Sequence, residues 1–217
     1  MTGIIAWGLA EDKRFAGGPV EHARESTMIR SLRLTAVALA SLALSAQAPV
    51  QRTQIPFSQG GQLTLDLEAG DYDIESGAGD AIVVAWNGGG SVQPKVRLEG
   101  SGTQARLSVE QTPHQNFHAR VEVPFRCDLR VHLTAGDLRV GPIEGNKDLF
   151  IRAGDLKVAV PHPETYGRVK ASVWAGDIHA RAFGGEKGGL FRSFEWQGKG
   201  AYSLRIATWA GDITLAP

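Results

Sequence analysis

The sequence predicts an all-β protein built from repeated strand–corner–strand units, and three observations carry that expectation. Apolar and polar residues alternate with period two through most of the chain beyond residue 60, as in strands with one buried face. Twenty-seven glycines punctuate these segments, and the two methionines and sparse helical periodicity there leave no room for a long amphipathic helix. The tripeptide Ala-Gly-Asp recurs at 69–71, 78–80, 135–137, 153–155, 175–177 and 210–212.

The phase of the alternation says what the tripeptide does. Leu129, Val131, Leu133 and Ala135 occupy odd positions before the third copy, whereas Leu138 and Val140 occupy even positions after it. The same flip runs from Leu63, Leu65, Leu67 and Ala69 to Tyr72 and Ile74, and from Leu149, Ile151 and Ala153 to Leu156 and Val158. It recurs from Val169, Ala171, Val173 and Ala175 to Ile178 and Ala180, and from Leu204, Ile206 and Ala210 to Ile213 and Leu215. An apolar face that changes parity requires one extra residue in the backbone path. Glycine supplies a positive φ there, and aspartate can cap its own turn. Gly70–Asp71, Gly136–Asp137, Gly154–Asp155, Gly176–Asp177 and Gly211–Asp212 are therefore read as structural corners, each preceded by a small, inward alanine. The copy at 78–80 keeps its parity and reads as an ordinary turn.

The later corners are 18, 22 and 35 residues apart. Glycine-rich 184–189 and strand-like FRSFEW at 191–196 fill the long interval, as an inserted hairpin would. Strand–corner–strand repeats near 20 residues favour a β-solenoid, or β-helix-like, domain over 61–217. A twisted β-sandwich with bulged strands is the alternative. Between the first corner and the second, ARLSVEQ at 105–111 and ARVEVPFR at 119–126 alternate cleanly and read as further strands.

Upstream, Met28 to Ala48 has the parts of a secretory signal peptide: Arg30 and Arg33, the short apolar run LTAVALASLAL, and Ser-Ala-Gln-Ala at 45–48. That run is shorter than the roughly 20 residues a membrane span needs. Cleavage would leave Pro49 first, with 49–60 as a linker and no transmembrane helix in the mature chain. Residues 1–27 read as lying before the true start, or as a disordered extension. The expected location is the periplasm, the cell surface or the exterior.

Charge and cysteine content narrow the function. Twenty-three basic residues balance 23 acidic ones, which argues against nucleic acid as a partner. The single Cys127 excludes an internal disulfide and reads as a small buried residue.

The stretch RVEVPFRCDLRVHLTAGDLRVGPIEGNKDLFIRAGDLKV, residues 120–158, resembles the bacterial putative-adhesin family of domains of unknown function. The likeness lies in a Val-x-Val-Pro strand, a Gly-Asp-apolar corner, a short glycine-containing link and a second such corner. It implies an exported β-helix-like domain and brings no ligand or catalytic residue with it. The long last interval departs from a uniform coil.

Candidate sites are few. The five corner aspartates could line one edge as calcium ligands, but one carboxylate per corner is too few for six to eight oxygens, and turn capping is the plainer role. Trp174 and Trp209 stand just before their corner alanines on the outward parity, where Arg152, Thr134 and Glu68 stand at the other corners. Stacked coils would align Arg152, Trp174 and Trp209 as a ligand-binding row, with a cation–π contact between the first two. The plainer reading has the 184–200 insertion, with Phe191, Phe194 and Trp196, fold over the tryptophans. His114 and His118 lead into a strand, where residues four apart are roughly 13 Å from one another, so they do not form a metal pair. Asp71 with Asp73, and Asp66 with Glu68, are the carboxylate pairs a polysaccharide-cleaving enzyme would need. The expectation is a non-catalytic module of the cell envelope, with no cofactor or metal and with a protein or glycan as partner; the alternative is a carbohydrate-binding or polysaccharide-active protein.

Overall fold

The computed structural model describes residues 50–87, 92–113, 116–187 and 190–217, so the 1–27 and 28–48 segments lie outside the described residues. The described chain is all-β. In chain order the strands are β1 (Val50–Pro56), β2 (Gly61–Ala69), β3 (Asp71–Gly77), β4 (Ala81–Asn87), β5 (Lys95–Ser101) and β6 (Gln104–Glu110). They continue with β7 (His118–Pro124), β8 (Cys127–Ala135), β9 (Leu138–Val140), β10 (Lys147–Ala153), β11 (Leu156–Ala159) and β12 (Tyr166–Ala175). Last come β13 (Ile178–Ala180), β14 (Gly185–Lys187), β15 (Leu190–Gln197), β16 (Tyr202–Ala210) and β17 (Ile213–Ala216). Among the described residues no helix is long and apolar enough to cross a membrane.

The strands form two mixed sheets. Sheet I has the order β15-β12-β16-β10-β8-β2-β6-β5, and sheet II the order β1-β4-β7-β3-β9-β11-β17-β13-β14. Each parity-flipping corner carries the chain from sheet I to sheet II, and the five strand pairs follow the same order in both sheets. Neighbouring pairs run parallel, with Ala69, Ala135, Ala153, Ala210 and Ala175 in one line of register. The turn at 78–80 joins β3 to β4 within sheet II, which is why it needs no change of phase.

The core lies between the sheets and follows the sequence phase. Leu63, Leu65, Leu129, Val131, Leu149 and Ile151 are buried from sheet I, and Tyr72, Ile74, Leu138, Val140, Leu156 and Val158 face them from sheet II. Thr208 takes the inward place between Ile206 and the corner, and its buried hydroxyl makes no hydrogen bond.

Four expectations are corrected. The stack order is Gly70, Gly136, Gly154, Gly211, Gly176, so the last strand pair of the chain inserts between two earlier ones. The 184–200 insertion is not a hairpin in one sheet: β14 pairs antiparallel with β13, and β15 pairs antiparallel with β12, ending both sheets. The 49–60 segment is no linker, because β1 pairs with β4 and Phe57 is buried in the core. An edge strand with one half-exposed face shows little hydrophobic contrast, and VQRTQIP hides its pattern. The corner alanines are not core residues; Ala153 and Ala210 are exposed and the other three half-buried, since the chain is already turning at the rim.

One end of the core is closed by a charge. Lys147 is buried, and its Nζ donates to Ile143 O at 2.6 Å, Tyr166 Oη at 2.7 Å and Gly145 O at 3.3 Å. Three donors thus meet three acceptors, the condition under which a buried ammonium is tolerated. Burial still lowers its pKa from 10.5 to about 8. Below pH 8 both folded and unfolded chains hold this proton; between 8 and 10.5 the unfolded chain holds more, so stability rises with pH. Cys127 acts in the opposite sense: burial raises its thiol from 9.0 to about 12, so stability falls once the unfolded thiol ionises above about 9. Thermal melts are expected to show a rise between pH 8 and pH 9 that then levels off. Lys147→Met is expected to remove that rise; an unchanged profile would mean another group is responsible.

Candidate interaction surface

The corners come first, because they fix every other position. Their glycines have φ between +112° and +148°. Successive corners also touch: a Cβ on Gly136 would meet Gly70 O at 2.0 Å, and one on Gly154 would meet Gly136 O at 2.0 Å. Glycine is thus demanded both by conformation and by close backbone approach.

Asp71, Asp137, Asp155 and Asp212 do not cap their own turns. Those four hand their carboxylates to the next corner in the stack: Asp137 N donates to Asp71 Oδ1 at 3.3 Å, Asp155 N to Asp137 Oδ1 at 3.1 Å, Asp212 N to Asp155 Oδ1 at 2.9 Å, and Asp177 N to Asp212 Oδ1 at 2.8 Å. The donors lie 18 to 66 residues away in sequence, so this ladder is a product of stacking. Among the described residues there is no group of three or more His, Cys, Asp or Glu that could hold a metal.

The remaining carboxylates of the two candidate pairs, Asp66, Glu68 and Asp73, are also engaged. Asp66 pairs with Arg106 at 2.6 Å, Glu68 accepts Thr112 N at 3.2 Å, and Asp73 lies 3.4 Å from His118 and 3.5 Å from Arg139. His118 therefore lies against Asp73 on the face of sheet II, and His114 lies outside the described residues.

The residues before the five corners, Glu68, Thr134, Arg152, Trp209 and Trp174, form a row across the outer face of sheet I, and Phe191 on β15 continues it. The register puts Arg152 beside Trp209 rather than beside Trp174, because β16 lies between β10 and β12. The expected Arg152–Trp174 cation–π contact is therefore replaced by a chain of rings. Trp209 and Trp174 meet edge-on at 5.8 Å, and Trp174 and Phe191 at 5.4 Å.

The insertion does not bury these rings. Trp174 is 47 % exposed, Trp209 53 % and Phe191 71 %. Strand β15 lies beside β12 instead of above it, and Phe194 and Trp196 turn toward the core while Phe191 points outward.

Two residues back along the strands a second row adds Phe150, also exposed, whose ring stacks on His132 at 5.2 Å and 3°. Phe150, the tryptophans and Phe191 wall a shallow trough of about 470 Å³ floored by Ala207 and Ser172. Phe150 and His132 were missed in the sequence, although both have the outward parity of Arg152 and Thr134.

With that surface placed, known proteins can be set beside it. No family model matches the chain, and no curated protein does. Several solved structures similar to it are named as bacterial adhesins or cell adhesion proteins, and one, from Parabacteroides distasonis, is named as a putative lipid binding protein. The putative cell adhesion protein of Clostridium sporogenes is matched over 77 % of this chain and 99 % of its own, at 12 % identity and a TM-score of 0.49. A putative adhesin of Bacteroides fragilis covers 77 % of this chain and 97 % of its own, at 6 % identity and a TM-score of 0.30. One of Parabacteroides merdae covers 59 % and 65 %, at 9 % identity and a TM-score of 0.29. These carry the adhesin name that the 120–158 motif resembles; at such identities no ligand or residue role passes to this chain.

Proposed function

We propose that the chain is an exported, non-catalytic, adhesin-like interaction module of the cell envelope or surface, with its corner stack acting as a solenoid-like rigid support. The exposed ring row Trp209–Trp174–Phe191 carries this reading, because a contiguous aromatic patch on an outer sheet face is a contact surface left without a cover. Rings fixed on paired strands lose little further freedom when a partner arrives, which favours tight contact. The engaged carboxylates favour a binding role over hydrolysis, since a general acid and base would need to be free to exchange protons. Export rests on the 28–48 segment, and amino-terminal sequencing of the mature protein is expected to start at Pro49. Labelled protein should be retained by isolated cell envelopes, and Trp174→Ala with Trp209→Ala should reduce retention about tenfold. Unchanged retention by the double variant would overturn the assignment of the surface.

A further inference from the structure

We infer that the outer face of sheet I binds an acidic polysaccharide, an inference that rests on the interaction-module reading and names its ligand class. The charges beside the ring row point to it. Four arginines stand on this face on adjacent strands: Arg130 on β8, Arg152 on β10, Arg205 on β16 and Arg168 on β12. None of them makes an ion pair within 4.0 Å among the described residues. On sheet II, by contrast, Arg120 pairs with Glu75, and Arg139 and His118 both reach Asp73.

The register sets two like charges on neighbouring strands opposite one another. Lys170 on β12 lies directly opposite Arg205, a placement that costs stability unless an anion sits over it. Lys170 is tied to Glu195 at 2.9 Å, which leaves Arg205 without that partner. Three carboxylates interrupt the field: Glu195 on Lys170, Asp148, which lies between Arg130 and Arg205 in register, and Asp128, which is held by Asn146. The balance on these four strands remains basic, although the whole chain is neutral.

Rings and cations are spaced for a chain ligand. The aromatic trough lies at the corner end, and a polar groove of about 410 Å³, lined by Arg130, Arg168, Lys170 and Arg205 together with Asp128 and Asp148, lies toward the strand starts. Trp209 and Arg205 are four residues apart on one strand, roughly 13 Å. A pyranose offers its C–H face to an aromatic ring, whose face is electron-rich, and its ring-borne carboxylate or sulfate would then reach an arginine fork. Protein interfaces are also enriched in tryptophan and arginine, so a protein partner is an outcome that the test below separates from a polysaccharide. Tryptophan and phenylalanine beside arginine also suit a lipid interface, so anionic vesicles form one arm of the test below.

Affinity electrophoresis in gels containing polygalacturonate, set against gels containing neutral hydroxyethylcellulose, tests the inference. Retardation is expected with polygalacturonate alone and should fade with added salt. Arg152→Ala with Arg205→Ala should weaken it about tenfold, as should Trp174→Ala with Trp209→Ala, while Asp148→Asn should strengthen it. Equal retardation by the neutral polymer would overturn the acidic class. Retardation by neither polymer would overturn the polysaccharide assignment, as would binding to anionic phosphatidylglycerol vesicles in its place. In each of these cases, envelope retention that still depends on Trp174 and Trp209 would leave the interaction-module reading standing; loss of that dependence would remove both.

Discussion

Replacing Gly154 with valine is expected to cost about 3–5 kcal/mol, a large part of the 5–15 kcal/mol that holds a typical domain folded. Two costs combine. Gly154 has a φ of +131°, which a β-branched side chain resists. Its Cβ would also stand 2.0 Å from Gly136 O, and that carbonyl belongs to the next corner. Relief would require the two corners to part, breaking the Gly136 N to Ala153 O and Leu138 N to Asp155 O bonds that hold them at 2.9 Å. Two substitutions separate the terms. Gly184→Ala, at φ +72° with nothing within 4 Å, carries the conformational cost alone and should lose about 1 kcal/mol. Gly79→Ala, in open space at an ordinary φ, should lose nothing measurable. Denaturant melts that leave the valine variant as stable as the parent would show that the corners do not touch.

How far this fold could be read beforehand depended on which information is local. The parity flips at Leu133–Leu138 and Ile151–Leu156 are local, so the five crossings were visible in the chain. Which crossing lies beside which is not. Each unit offers a similar parallel edge, and β16 and β17 settle between β10/β11 and β12/β13 through pairings that local spacing does not encode. The ring row was visible as a parity, yet its order was not, so Arg152 was set beside the wrong tryptophan. Lys147 could have been found: it shares inward parity with Leu149 and Ile151, and a lysine in that place announces a buried ammonium with partners. Phe57 and β1 were harder, because an edge strand that keeps one face in solvent is mostly polar, here with only Val50, Ile55 and Pro56 apolar.

The aspartate ladder supplies the second large effect, and its signature is a contrast between two substitutions at one site. Asp155 Oδ1 accepts Asp212 N in a half-buried corner, so Asp155→Ala strands that N–H and should cost about 1–3 kcal/mol. Asp155→Asn keeps an oxygen in the same place and should lose only the charge-assisted part of the bond. Loss of carboxylate repulsion along the stack works in the same favourable direction, so Asn should be the milder change at every rung. The alanine series should follow the bond lengths, with Asp212→Ala the most costly at 2.8 Å and Asp71→Ala the least at 3.3 Å. A calcium-binding edge makes a different forecast: Asn and Ala would be equally damaging, and added calcium would raise the melting temperature of the parent. Equal losses for Asn and Ala would therefore replace the hydrogen-bond ladder with a charge-based role. A graded series insensitive to calcium would place the whole function of Asp71, Asp137, Asp155 and Asp212 in holding the corners in register, and with them the ring row that the corners support.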